Sequence, residues 1–108
     1  MDAHDMLARM PEIVDADRIR DVEAVIQYEI DRPLWHEIQG GEVRVHEGRA
    51  EAPDLVVAAK DAVLLDVFHG RANPMMAFMT GRLKVEGDMT LAQNLVALVD
   101  RDRLKELG

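Results

Sequence analysis

The chain has 108 residues, 48% hydrophobic and 31% charged, a balance that fits one globular domain and excludes a disordered chain. Its net charge of −8 comes without a basic cluster, so it lacks the grouped Lys and Arg that nucleic acid or an anionic lipid surface requires. Cysteine and serine are both missing, which removes disulfides, thiolate chemistry, Cys-based zinc and Ser–His–Asp hydrolysis.

Residues 1–108 read as a single domain. The N-terminus, MDAHDMLARMPEIV, is acidic and has neither the basic nor the apolar segment of a signal peptide. Wholly apolar runs are a few residues long, far short of the ~20 needed to span a bilayer. The expectation is a cytoplasmic protein with no stable membrane insertion and no nucleic-acid partner.

Residues 3–10 read as a short helix capped by Asp2, with Met6, Leu7 and Met10 on its apolar face. Pro11 opens a second turn that runs to about Val14. The charged stretch DADRIRD leads into the sheet. Residues 22–30 then alternate as a half-buried strand. Val22, Ala24, Ile26, Tyr28 and Ile30 share one face, and Glu23, Gln27 and Glu29 the other; only Val25 breaks the pattern.

PLWHEIQGGEVRVHEG reads as a β-hairpin, because Gly40-Gly41 suits a tight turn that needs positive φ. In that register Ile38 faces Val43, and Glu37 faces Arg44 in a cross-strand ion pair. Leu34, Ile38, Val43 and Val45 share the inner face, and Trp35 sits with His46 on the outer one. Pro53 and Asp54 introduce a fourth strand, LVVAAK. The helix DAVLLDVFHG follows, with Asp61 as its cap and Gly70 just past its end. Asn73 and Pro74 start another helix, which Gly81 ends. RLKVEG is a fifth strand with Leu83 and Val85 on one face. Asp88 caps the amphipathic helix MTLAQNLVALV, in which Leu91, Leu95 and Leu98 form a stripe beside Ala92, Val96 and Val99. The tail DRDRLKELG is a charged helical end. Short loops between consecutive strands favour antiparallel pairing, so the expected class is α+β, a five-stranded mainly antiparallel sheet covered by helices.

Catalytic and metal chemistry find little here. The only hydroxyls are Thr80, Thr90 and Tyr28. His4, His36, His46 and His69 lack metal-ligand spacing, and His36 and His46 point to opposite sides of the hairpin. Neither a catalytic residue, a metal nor a cofactor is assigned. Asn73 and Asp88 sit where helix caps belong, and Gly70, Gly81 and Gly87 mark element ends. GRLKVEGD lacks the Gly-Lys-Ser/Thr ending of a phosphate loop. The methionines stand apart. Met75, Met76, Phe78 and Met79 surround almost the whole of one short helix, too much apolar surface for one buried face. Methionine adapts to variable apolar partners, and the partner is a sheet, another chain or a lipid.

The segment GRLKVEGDMTLAQNL closely resembles the signature of the sterol-carrier-protein type 2 family, the non-specific lipid-transfer domains. The family pattern is roughly G-x-L-x-[VI]-x-G-[DN]-[ML]-x-L-A-x-x-L. Gly81, Leu83, Val85, Gly87, Asp88, Met89, Leu91, Ala92 and Leu95 match it. Upstream, Gly70, Pro74, Ala77 and Phe78 are similar to its G-x-x-x-P-x-x-A-F run. The resemblance covers roughly residues 3–99. It implies helices over a five-stranded sheet with an apolar cavity between them. It further implies a non-catalytic carrier of a fatty acid, acyl-CoA, sterol or isoprenoid-like lipid. The expected lining is Phe68, Met75, Met76, Phe78, Met79, Leu91, Leu95 and Val99. The alternatives are an accessory subunit presenting a lipid intermediate to a partner enzyme, or a plain interaction domain such as a homodimer. The chain ends Glu106-Leu107-Gly108 rather than in the peroxisomal Ser-Lys-Leu. The expectation is therefore a stand-alone protein, with acyl chains or isoprenoid quinone intermediates as eligible as a sterol.

Overall fold

Gly40 and Gly41 adopt φ of 61° and 78°, values that an L-residue with a Cβ rarely takes, and they close the hairpin where the sequence places it. The computed structural model describes residues 1–107; Gly108, the last residue of the terminal tripeptide, lies outside them. Three helical segments come first: α1 (Ala3–Ala8), α2 (Met10–Ile13) and α3 (Ala16–Ile19). Strands β1 (Ala24–Glu29), β2 (Leu34–Gln39), β3 (Glu42–Glu47) and β4 (Leu55–Ala59) follow. Then come α4 (Asp61–Phe68), α5 (Pro74–Met79), β5 (Leu83–Gly87), α6 (Met89–Asn94), a 3₁₀ turn (Val96–Leu98) and α7 (Arg101–Leu107).

The sheet order is β3-β2-β1-β4-β5. Three pairings are antiparallel, and the central one, β1 with β4, is parallel. The hairpin register is as expected, with Ile38 opposite Val43 and Glu37 opposite Arg44. The expected ion pair does not form. Glu37 instead accepts from His46 Nε2 at 3.2 Å, and Arg44 lies 3.9 Å from Glu42 on its own strand. Trp35 stacks on His46 with centroids 4.1 Å apart, on the outer face. That stack holds the imidazole beside Glu37 and leaves Arg44 to its own strand.

The parallel pair explains one side chain that alternation alone misplaces. Gln27 lies on the face opposite Ile26 and Tyr28, yet it is buried. The connection from β3 to β4 must return beside β1, and it passes over Gln27. The Gln27 amide donates to the carbonyls of Gly48 (3.1 Å) and Leu34 (3.3 Å), and its oxygen accepts from the Ala50 N–H at 2.7 Å. A buried amide with its polar groups matched in this way is worth its desolvation. Asp54 completes the crossing: its N–H donates to the Val25 carbonyl and its carboxylate accepts from the Val25 N–H, both at 2.8 Å.

The helix boundaries follow local chemistry. Asp2 caps α1 by accepting from Asp5 N–H at 2.8 Å. The single run expected over 3–10 breaks at Arg9, and Pro11 sits in the first turn of α2. DADRIRD forms the extra helix α3, with Asp15 accepting from Asp17 N–H at 3.0 Å. Lys60, not Asp61, holds the cap position of α4; the Asp61 carboxylate accepts instead from Asp31 N–H at 3.3 Å. Gly70 ends that helix with φ of 78°. The helix expected over 89–99 stops at Asn94, and Leu95 leads into the 3₁₀ turn.

The core lies between the inner face of the sheet and the helices. Ile26, Tyr28, Leu34, Leu55 and Val57 supply the sheet side; Met6, Leu7, Ile13, Leu64 and Phe68 supply the helical side. The two ends of the chain are tied together there. Val14 bridges Val99, Asp15 N–H donates to Leu98 O at 2.8 Å, and Asp100 N–H donates to Ile13 O at 2.7 Å.

Candidate functional site

The Met-rich helix α5 begins as expected. Asn73 Oδ1 accepts from Met75 N–H at 2.8 Å and from Met76 N–H at 3.3 Å, and Pro74 occupies the first turn. Only Ala77 of α5 is buried, against the edge of the sheet near β5. Met75, Met76, Phe78 and Met79 are 59%, 54%, 43% and 71% exposed. Four large apolar side chains on six residues thus face solvent, an arrangement more typical of a contact surface than of a core helix.

The other residues expected to line the cavity lie elsewhere. Phe68, Leu95 and Val99 are buried in the core, and Leu91 is half-buried on α6. Thus Phe68, Leu95 and Val99 sit inside, Leu91 is half-buried, and α5 presents its four outside. No residue of α6 is buried. Leu91 and Ala92 are half-buried against the core, the helix touches β4 and β5, and the buried Leu95 and Leu98 follow it.

Under that turn lies a small internal void of about 10 Å³, bordered by Met10, Tyr28, His36, Ile38, Leu95 and Leu98. That is at the lower limit of what one water molecule occupies, ~10–15 Å³. Tyr28 and His36 are its polar neighbours. His36 is buried, and its Nε2–H donates to the Leu7 carbonyl at 2.8 Å. Burial pushes its pKa down to about 4, against the opposing pull of that hydrogen bond. Burial also raises the Tyr28 phenol, so both groups are uncharged at neutral pH. Tyr28 Oη has no hydrogen-bond partner among the described residues. Tyr28 was legible as an inner-face residue, but a missing partner for its hydroxyl is a fact of packing that sequence does not carry.

A second concavity opens on the surface beside β4 and β5. Its volume is about 450 Å³; Ala58, Ala59 and Val63 give it apolar walls, and Lys60, Arg82 and Lys84 give it three cations. None of the three makes an ion pair among the described residues, whereas Arg49 pairs with Glu29 and Arg71 with Asp66. Among the described residues, metal-ligating side chains come together at one place, Asp2, His4 and Asp5. Those atoms already have partners: Asp2 caps α1, and His4 Nε2 lies 2.8 Å from Glu47 while its Nδ1 accepts from Arg32 at 3.0 Å. The group reads as an N-terminal hydrogen-bond network.

An apolar layer between sheet and helices is what a hydrophobic ligand needs. The model of the SCP-2 sterol transfer family matches residues 4–100. The chain belongs to the SCP-2 sterol transfer family. Domains of this family support lipid binding and transfer in general. Hydroxysteroid dehydrogenase-like protein 2 of Bos taurus is 32% identical over 91 residues, which cover 79% of this chain and 22% of that protein. The chain thus spans about a fifth of the length of that relative. The sec-alkylsulfatase Pisa1 from Pseudomonas sp. contains a similar fold, with a TM-score of 0.81 at 16% identity over 90% of this chain and 16% of that one. The UbiJ-SCP2 ubiquinone synthesis protein gives a TM-score of 0.65 at 25% identity, over 96% of this chain and 85% of that one. The α+β fold, a mainly antiparallel five-stranded sheet with helices, is that of the family. No helix among the described residues is long and apolar enough to cross a membrane.

Proposed function

We propose that residues 1–108 form one carrier domain, which takes a hydrophobic ligand into the layer between the sheet and α5–α6 and releases it to an acceptor. The observation that supports this most is the contrast between the exposed face of α5 and the nearly filled interior. Outside, α5 exposes Met75, Met76, Phe78 and Met79. Inside, the void beneath Leu95 and Leu98 is too small for any lipid. Uptake therefore requires Leu95 and the 3₁₀ turn to move, and the preceding α6 resists this only through the half-buried Leu91 and Ala92.

The magnitudes favour opening. Exposing Leu95 and Leu98 costs ~1.5–3 kcal/mol each. A C16 chain taken out of water gains about 0.8 kcal/mol per CH₂, on the order of 10 kcal/mol before ordering costs. The ligand thus replaces the side chains that it displaces. Phe68, Leu91 and Val99 form the inner wall of the opened cavity, the displaced Leu95 rims it, and Met75, Met76, Phe78 and Met79 fold over the ligand as flexible apolar contacts. Fatty acids, acyl-CoA, sterols and isoprenoid-like lipids all fit this description. The role requires no nucleophile and no cofactor, and a cytoplasmic setting suits it.

A second reading is favoured by the likeness to a ubiquinone synthesis protein. In it the domain is an accessory subunit, and the exposed face of α5 docks on the enzyme that consumes the lipid. Titration with a fluorescent fatty acid tests the first reading. Saturation at one probe per chain, competed by unlabelled palmitate, is expected; weak, non-saturating uptake would contradict it. Co-purification with a biosynthetic enzyme would favour the second.

A further inference from the structure

We propose that Tyr28 reads an uncharged oxygen, a hydroxyl or a carbonyl, on the end of the ligand that enters first. This would make the site selective for neutral oxygen-bearing lipids over pure hydrocarbon tails. The inference rests on the carrier reading above and narrows its ligand class.

Tyr28 is fully buried in β1, and its Oη has no hydrogen-bond partner among the described residues. A buried phenol without a partner costs stability that phenylalanine would avoid, so its presence at this position calls for a reason. Tyr28 borders the void beneath Leu95 and Leu98, the space that an entering ligand would enlarge. The other polar side chain at the void does not serve it. His36 meets the tyrosine ring edge to face at a centroid distance of 4.8 Å, its Nε2–H donates to the Leu7 carbonyl, and no hydrogen bond joins it to the Tyr28 hydroxyl.

The charge of the ligand oxygen follows from what surrounds it. Among the described residues, no Lys or Arg borders the void, and Lys60, Arg82 and Lys84, which make no ion pair there, line the surface groove instead. A carboxylate brought to Tyr28 would be a buried charge without a counter-charge, which is strongly unfavourable. A hydroxyl or carbonyl oxygen carries no such penalty and accepts from the phenol O–H. An ionised head group belongs at the surface, with its tail inside and Tyr28 still unpartnered.

The test compares dodecan-1-ol with dodecane on the wild type and on Tyr28→Phe. Each ligand is supplied from phosphatidylcholine vesicles and displaces a fluorescent fatty acid. The ratio of the two affinities, divided between the proteins, cancels the difference in partitioning. The wild type is expected to prefer the alcohol about tenfold more than the variant does, the value of one buried hydrogen bond. An unchanged ratio, with both ligands bound by the wild type, overturns the role of Tyr28 and leaves the carrier reading intact. If the wild type binds neither ligand nor the probe, the carrier reading fails and takes this inference with it. Thermal unfolding of the ligand-free proteins gives an independent check. Tyr28→Phe is expected to melt at the same temperature or higher; a lower midpoint would mean that the hydroxyl is already partnered, which overturns the inference.

Discussion

Tyr28 and His36 meet edge to face on the inner side of the sheet, with ring centroids 4.8 Å apart and an interplanar angle of 65°. The imidazole is held neutral there, with its pKa lowered to about 4 by burial. In the unfolded chain it titrates near ~6.5. Above that pH both states are neutral, and its contribution to stability is fully present. As pH falls from ~6.5 toward about 4, the unfolded chain takes up a proton that the folded chain refuses, and stability is lost, on the order of 3 kcal/mol in all. His36→Phe removes this part of the acid sensitivity while leaving the Leu7 carbonyl without its donor. Urea unfolding at pH 7.5 and 4.5 should therefore show a larger acid loss in the wild type than in the variant. Equal losses would contradict the buried neutral imidazole.

Gly87 runs against the backbone of Asp54. Its φ is 109°, and a Cβ placed there would collide with the Asp54 carbonyl, which also accepts from Asp88 N–H at 2.9 Å. Gly87→Ala meets backbone strain and backbone contact together. The expected loss is about 3 kcal/mol or more, measured by chemical denaturation. A loss under about 1 kcal/mol would show that the β4–β5 edge relaxes freely.

Asp88 caps α6 by accepting from Leu91 N–H at 3.0 Å. Asp88→Ala should cost ~1 kcal/mol of stability, with Asp88→Asn much milder. If Asp88→Ala leaves stability intact and abolishes lipid binding, the aspartate is a ligand contact and the capping account is wrong.

Much of this was legible in the sequence because short-range chemistry dictates it. Gly40-Gly41 fixed the hairpin register, and Asp2, Asn73 and Asp88 marked three helix starts that the structure reproduces. What escaped was non-local. Nothing in the residues of β4 says that it returns parallel to β1, and so nothing says that Gln27 is buried beneath the crossing. Glu37 and Arg44 were placed opposite each other correctly, but the Trp35–His46 stack decided which partner Glu37 takes. The expected lining residues share apolar character alone. Periodicity cannot separate a core residue such as Phe68 from a surface one such as Met79, because both carry the same hydrophobic signal.

Met79 offers a clean separation of stability from function. It is 71% exposed, so Met79→Asp should change folding stability by no more than ~0.5 kcal/mol. It would place a charge where the carrier account puts an apolar contact with the ligand. Uptake of a fluorescent fatty acid should weaken markedly, on the order of tenfold. Unchanged affinity in a stably folded variant would remove Met79 from the lipid site.

Native mass spectrometry of the freshly purified protein, paired with organic extraction, bears most directly on whether this chain carries a lipid. The account predicts an added mass on the folded chain that extracts as a lipid, and a neutral oxygen-bearing one if Tyr28 selects it. A clean ligand-free mass from a protein that also fails to take up a fluorescent fatty acid would contradict it. The filled interior would then be the working state, and the exposed face of α5 would belong to a protein partner.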